Sequence, residues 1–200
     1  IMDIRLKLVQ ITHALLQKAG RGGSFPGELA LKMDPDFIQK FKMPEIVVLV
    51  TGTNGKTTTS NLIAESLRKA GLKVINNRRG DNLNVGIATL LASNANSKYE
   101  VQGDAAVIEV DELTLYRQFK NLHPTILVVN NFFRDQLDRA GEMETIIRKI
   151  QEVTKDFTGD IILNGDDPNT LRIQDTALKA RIHTFSVDRN EVSKDKTDEA

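Results

Sequence analysis

Along the first twenty positions Ile4, Leu8, Ile11 and Leu15 recur at helical spacing, and Leu6, Val9 and Leu16 add apolar area around them. Asp3, Arg5, Lys7, Gln10, His13 and Lys18 interrupt the run. This predicts an amphipathic helix that lays one face on an apolar partner, the protein's own core in preference to another subunit. A membrane-spanning helix needs about 20 mostly uncharged residues and a secretory leader an unbroken apolar run of roughly 7–15, and neither pattern is present. The glycine-rich stretch 20–27 predicts the end of this helix and a connection. A short helix follows. Asp34-Pro35 then predicts an N-cap with proline at the first helical position, opening a helix through Phe37, Ile38 and Phe41 as far as Pro44.

From residue 45 short apolar runs alternate with helical patterns. Strands are predicted at 46–50, 74–75, 105–110, 126–129 and 161–163, with a weaker one at 182–187; helices are predicted at 57–70, 85–93, 113–119, 142–155 and 169–179. The βαβα order predicts an α/β fold, a mostly parallel sheet with helices on both faces. In such sheets ligands bind beyond the carboxyl ends of the strands, so the residues just after each run are the candidates. The chain divides into a helical segment and linker (1–43), a domain of the nucleotide-binding type (44–187) and a charged stretch (188–200) that reads as a solvated tail or the start of an insertion.

Composition narrows the function. The 200 residues are 40% apolar, enough for one sizeable core, and 27 Lys+Arg balance 27 Asp+Glu. A zero net charge gives no electrostatic argument for nucleic acid or an anionic membrane, and binding of either would need a local patch. With no Cys, the chain holds no disulfide, no thiolate zinc ligand and no cysteine nucleophile, which is compatible with a reducing compartment. His13, His123 and His183 stand apart from one another and from any metal-ligand spacing, and read as structural or surface residues.

Directly after the first strand run the chain reads Thr51-Gly52-Thr53-Asn54-Gly55-Lys56-Thr57-Thr58-Thr59-Ser60, and a helical pattern begins at once. A strand, a glycine turn and a helix N-terminus together make an anion site. Gly52 and Gly55 let backbone amides turn toward phosphate oxygens, the helix dipole adds partial positive charge, and Lys56 adds a full one. Thr57 places a hydroxyl where a Mg²⁺ bridging phosphates needs an oxygen ligand. Val50 stands where the strict G-x-x-x-x-G-K-[ST] pattern has its first glycine, so the loop is a variant in which Gly52 takes the tight turn.

In the third strand run a carboxylate, Glu109, interrupts apolar residues near the carboxyl end. Such a group must be paired, protonated or bound to metal, and beside a phosphate loop the metal is the natural partner. Asp111 and Glu112 are the alternatives if the register differs. Asn164, in Leu163-Asn164-Gly165-Asp166-Asp167, offers both donor and acceptor to an adenine edge, and Asp167 is suited to cap a following helix.

The run TGTNGKTTT resembles the phosphate loop of the Mur ligases, ATP-dependent enzymes that join a carboxylate to an amine. Glu109 resembles the glutamate that closes the equivalent strand there, and the Asn164 stretch resembles the motif that holds the adenosine end of ATP. Many of these ligases carry an Asp-His-Leu-Asp run whose histidine ligates a second metal. Gln136 replaces that histidine here, and a neutral amide is the weaker ligand. The run Asn131-Phe132-Phe133-Arg134-Asp135-Gln136-Leu137-Asp138-Arg139, the asparagine–arginine–glycine segment 74–87 and the short N-terminus are similar to one branch of the superfamily, the MurT-type subunits of lipid II isoglutaminyl synthase.

That resemblance implies ATP and Mg²⁺ as cofactors and amidation of the D-glutamate α-carboxylate in the lipid II stem peptide. It implies a partner of the GatD glutamine amidotransferase type to release ammonia, and a cytoplasmic protein working at the inner face of the membrane. Lys56, Glu109, Arg134 and Gln136 would be catalytic, with Arg78, Arg79 or Arg134 stabilising the transferring group. Gly52, Thr53, Asn54, Gly55, Lys56, Thr57, Thr58, Asn164 and Asp167 would hold the nucleotide, and Thr57 and Glu109 the metal. Such subunits continue into a four-cysteine zinc ribbon and a further domain, so zinc is expected in the family but has no ligands in this chain, which looks like a fragment. Another Mur-type carboxylate–amine ligase, or a module that binds nucleotide without completing a reaction, is the rival reading.

Overall fold

The computed structural model describes residues 3–18, 24–77, 81–132 and 140–187. Six strands, β1 (Ile46–Thr51), β2 (Val74–Asn76), β3 (Ala105–Glu109), β4 (Ile126–Val129), β5 (Asp160–Asn164) and β6 (Arg181–Phe185), form one sheet in the order β2-β3-β1-β4-β5-β6. Every pairing is parallel. The central strands are runs of Val, Ile, Leu and Ala because both of their faces are covered, so no polar alternation is required.

The helices are α1 (Ile4–Lys18), α2 (Phe25–Met33), α3 (Lys56–Lys69), α4 (Asn84–Ser93), α5 (Glu112–Leu122), α6 (Ala140–Thr154) and the single turn α7 (Pro168–Leu171). Only the β1-to-β2 connection runs toward the β2 edge; every later one runs back toward β6. Right-handed crossovers therefore place α3 alone on one face and α4, α5 and α6 on the other. The cores follow this division. Val48, Val50, Val74, Val107 and Val128 pack with Ala64 of α3 in a small cluster, while Leu49, Ile108, Leu127 and Leu163 join α1, α2, α4, α5 and α6 in a much larger one.

Three expectations need correction. Asp34 does not open a helix: it ends α2, and residues Phe37–Lys40 form only a 3-10 turn. The reason is tertiary, since Phe37 and Phe41 stack edge-to-face on each other and on Tyr99, with ring centroids 5.2–5.9 Å apart, and the chain turns extended at Phe41 to achieve this. The helix expected at 169–179 breaks after α7 into a 3-10 turn, Arg172–Asp175. Leu171, Ile173 and Leu178 cannot share one helical face; the tighter turn buries Ile173 and leaves Leu178 82% exposed. In α1 the helix forms as expected, but the residues it buries are Leu6 and Val9, and the stripe of Ile4, Leu8, Ile11 and Leu15 faces outward. The stretch 188–200 lies outside the described residues.

Candidate active site

The parallel sheet brings the carboxyl ends of β1, β3, β4 and β5 to one edge, and the site is assembled there. β1 runs into the loop 52–55 and directly into α3. Gly52 has φ +126°, and a Cβ there would stand 2.9 Å from both the amide nitrogen and the carbonyl oxygen of Asn131, so the turn accepts no side chain. Gly55 begins α3 in the left-handed region at φ 77°. The first amides of α3, from Lys56 on, lack a carbonyl one turn earlier within the helix and point out of its positive end, as an anion site requires.

The loop is held from outside by the two residues that follow β4. The Thr53 amide donates to the Asn131 carbonyl (2.9 Å) and the Asn54 amide to Asn131 Oδ1 (2.9 Å), while Asn131 Nδ2 donates to the Asn54 carbonyl (3.1 Å). Asn130 Nδ2 donates to Thr59 Oγ1 (3.0 Å) and to the Asn54 carbonyl (3.3 Å). Lys56 folds back over the loop, its Nζ donating to the carbonyls of Gly52 (2.5 Å) and Thr53 (3.2 Å). Thr53 and Asn54, expected to bind nucleotide, thus have their amides engaged by Asn131, and the phosphate-facing amides begin further along the loop.

Glu109 ends β3 in register with Val50, beside the phosphate loop, and is only 2% exposed. Its position is set by two asparagines from the segment after β2. Asn77 clasps the Glu109 backbone, Nδ2 donating to its carbonyl (2.8 Å) and Oδ1 accepting from its amide (2.8 Å). Asn82 Nδ2 donates to Glu109 Oε1 (3.1 Å), leaving Oε2 buried without a partner. Of the two alternatives, Asp111 caps α5 by accepting from the amides of Leu113 and Thr114, and Glu112 lies in its first turn, close enough to Lys56 to feel its charge. Burial pushes the Glu112 carboxyl above the usual range, with the positive charge of Lys56 acting against the shift.

Thr51 Oγ1, Asn84 Oδ1 and Asn130 Oδ1 are likewise buried and unpartnered. All four orphans are oxygen acceptors at the same sheet edge, and hard oxygen acceptors are what Mg²⁺ takes as ligands. Among the described residues no three His, Cys, Asp or Glu gather into a cage for a metal. That suits Mg²⁺, which is held by one or two carboxylates together with substrate phosphates. The residues present fit the ion.

On the α3 side of the sheet, a cleft of ≈ 480 Å³ opens beside the loop. Asn54, Gly55 and Thr59 form its phosphate-loop wall, Ile63, Val128, Ile162 and Phe185 its apolar floor, and Asn130, Asn131 and Asn164 its polar edge. Asn164 Oδ1 accepts from the Asp166 amide (3.0 Å). Asp167 caps α7 by accepting from the Asn169 amide (2.9 Å), and its other oxygen accepts from the Phe132 amide (2.6 Å), tying the end of β5 to the end of β4. Arg78, Arg79, Arg134 and Gln136 lie outside the described residues. The three histidines lie away from the site: His13 bonds Gln17, His123 ends α5, and His183 pairs with Asp160. Sequence reasoning missed the work of Asn77, Asn82, Asn130 and Asn131, and missed Phe185. The only signal for the asparagines was their density just after strand runs.

A variant phosphate loop, a buried carboxylate at the next strand end and a cleft over the exposed sheet face define a phosphate-loop α/β domain. Residues 50–199 match the Mur ligase middle domain, and the chain belongs to that family. It is 37% identical over 173 residues to the MurT subunit of lipid II isoglutaminyl synthase (glutamine-hydrolyzing) from Staphylococcus aureus strain COL, an alignment covering 82% of this chain and 39% of that protein. Against the MurT subunit of Streptococcus pneumoniae the identity is 39% over 158 residues, 78% of this chain and 35% of the relative. The chain therefore spans at most 39% of the length of these curated relatives. Among solved structures, MurF from Acinetobacter baumannii superposes with a TM-score of 0.59 at 19% identity, covering 81% of this chain and 34% of that one. Folylpolyglutamate synthase from Mycobacterium tuberculosis, complexed with ADP, gives 0.57 at 13%, covering 92% and 52%. At those identities the likeness is one of fold.

Proposed function

We propose that this chain is the ATP-binding part of an enzyme that amidates the D-glutamate α-carboxylate of the lipid II stem peptide. The carrying observation is the buried Glu109, one oxygen unpartnered, in register with the last residues before a Gly-Lys-Thr loop, in a chain 37–39% identical to MurT subunits. In the reaction the substrate carboxylate attacks the γ-phosphorus of ATP, the bond to the β-phosphate oxygen breaks, and an acyl phosphate and ADP result. Ammonia then adds to the acyl carbon, phosphate leaves, and the amide remains.

The chain's own residues do most of the phosphoryl-transfer work by holding charge. Lys56 swings from the Gly52 and Thr53 carbonyls onto the β- and γ-phosphates, and the amides at the start of α3 cradle them. Thr57 and Glu109 would hold Mg²⁺, which would supply charge neutralisation, and Thr58 completes the helix-end cradle. The adenosine lies over Ile162 and Phe185, with Asn164 reading the base edge and Asp167 fixing the turn that carries it. By the family resemblance Arg134 and Gln136 would be catalytic, with Arg78, Arg79 or Arg134 stabilising the transferring phosphoryl group; all four lie outside the described residues. The chain has no cysteine to release ammonia from glutamine, so a glutaminase partner of the GatD type supplies it. The work takes place at the inner face of the membrane, where the lipid-linked substrate lies. No described helix is long and apolar enough to cross that membrane.

The test is ATP consumption by the protein carrying this chain, supplied with stem peptide and either ammonium or an amino acid. Peptide-stimulated ATP hydrolysis with an amidated product supports the reading. Amino-acid addition would transfer the chain to another Mur-type ligase activity, and peptide-independent hydrolysis would remove the substrate assignment.

A further inference from the structure

The outward face of α1 is unlike the rest of the surface. Ile4, Leu8, Ile11 and Leu15 are 80%, 40%, 48% and 62% exposed, and at 100° per residue their side chains fall within an arc of about 60°. A helix that packed its best apolar stripe on its own protein would bury these four. Instead α1 is docked by its other side: Leu6 and Val9 enter the core, Gln10 donates to the carbonyls of Ala92 and Ala95 at the end of α4, and Arg5 bonds both Asp3 and Asp34. Tyr99 also donates to Asp3 (2.8 Å), so the helix is fixed at its start as well as its middle. The exposed stripe is thus held in place and presented.

Charge selects what it is presented to. From Ile4 to Lys18 the helix carries Arg5, Lys7 and Lys18 and no acidic residue. Lys7 and Lys18 lie on the exposed side, beside the apolar stripe, and neither is paired with a carboxylate among the described residues. The one acid beside the helix start, Asp3, is already taken by Arg5 and Tyr99. A second copy of the chain is a poor occupant, because a two-fold contact would set this lysine-flanked stripe against itself. An apolar stripe bordered by unpaired lysines on a docked helix matches an interfacial helix lying in the headgroup region of an anionic bilayer.

We propose that α1 is a membrane-surface docking site: its aliphatic stripe enters the headgroup boundary of an anionic lipid surface, and Lys7 and Lys18 meet the lipid phosphates. The chain's overall neutrality is no obstacle, since the patch is local. The inference stands apart from the nucleotide chemistry, because α1 contributes no residue to that site. It places α1 between the lipid surface and one end of α4, whose other end, Asn84, lies at the candidate active site about 15 Å away along a ten-residue helix.

Cosedimentation of the full chain with vesicles of phosphatidylcholine, with and without phosphatidylglycerol, tests it. Binding is expected only to the phosphatidylglycerol vesicles, weakening as salt is added. The exposed double variant Ile11→Asp/Leu15→Asp should lose binding at least about tenfold, and Lys7→Gln about fivefold, with far-ultraviolet circular dichroism and nucleotide binding unchanged. Equal binding to both vesicles, no binding, or a dimer that the double variant splits would each overturn the proposal. So would binding by this chain that vanishes in a longer protein carrying it, which would show that α1 is covered from within.

Discussion

The phosphate loop and the carboxylate beside it occupy adjacent strand ends, yet they are built in opposite ways. The loop's chemistry belongs to its backbone: two glycines, a helix start and one lysine within ten consecutive residues, with Asn130 and Asn131 added as braces. Glu109 is a buried side chain, and it is placed by residues from elsewhere, Asn77 on its backbone and Asn82 on its carboxylate. A backbone anion site needs little more than local geometry. A buried charge needs partners, and they are drawn from wherever the fold brings them.

Three changes sharpen that contrast. Lys56→Ala should have the largest effect, weakening nucleotide binding about 100-fold, or about 3 kcal/mol, while thermal stability stays close to that of the parent. Isothermal titration with a non-hydrolysable ATP analogue reads it, and unchanged affinity would break the phosphate-loop assignment. Asn77→Ala should act on the fold: it strips two buried hydrogen bonds from the Glu109 backbone, costing about 2–3 kcal/mol in urea unfolding. A loss below about 0.5 kcal/mol would mean that β3 holds Glu109 unaided. Glu109→Gln should be the smallest in stability and opposite in sign, raising it by about 1 kcal/mol by removing a buried carboxylate with an orphaned oxygen. The same variant should lose most of the gain in nucleotide affinity that Mg²⁺ gives the parent; full retention of that gain would take Glu109 out of the metal site.

A second contrast lies between the anchorage of α1 and the phosphate loop. The α1 anchorage rests on ionised carboxylates: the Arg5 hydrogen bond holds the Asp3 carboxyl well below its usual range, and Lys40 does the same for Asp34. Because both values are lowered in the folded protein, the stability they contribute is present above about pH 4 and is lost as pH falls through the folded values. The phosphate loop, by contrast, is braced by the neutral amides of Asn130 and Asn131, which do not titrate.

Much of the fold was legible because periodicity reports burial directly. The strand runs, the βαβα order and the phosphate loop all follow from local pattern, and Glu109 stood out as a charge inside an apolar run. What local pattern could not decide was which of two apolar sets α1 buries. Leu6 and Val9 won because α1 approaches α4 on that side, where Gln10 reaches its last carbonyls. Nor could it show that Phe37 and Phe41 would leave a helix to stack on Tyr99, or that Leu171 and Ile173 would force a 3-10 turn.

By itself, then, the sequence determined the six strands, the helices α3 to α6 and the backbone anion site, since each depends on residues close together in the chain. Tertiary structure alone decided that asparagines from after β2 and β4 hold Glu109 and the loop, and that the strongest apolar stripe of α1 faces out. Both outcomes depend on which surfaces meet, and that is set by strand order and helix packing rather than by any one segment's own pattern.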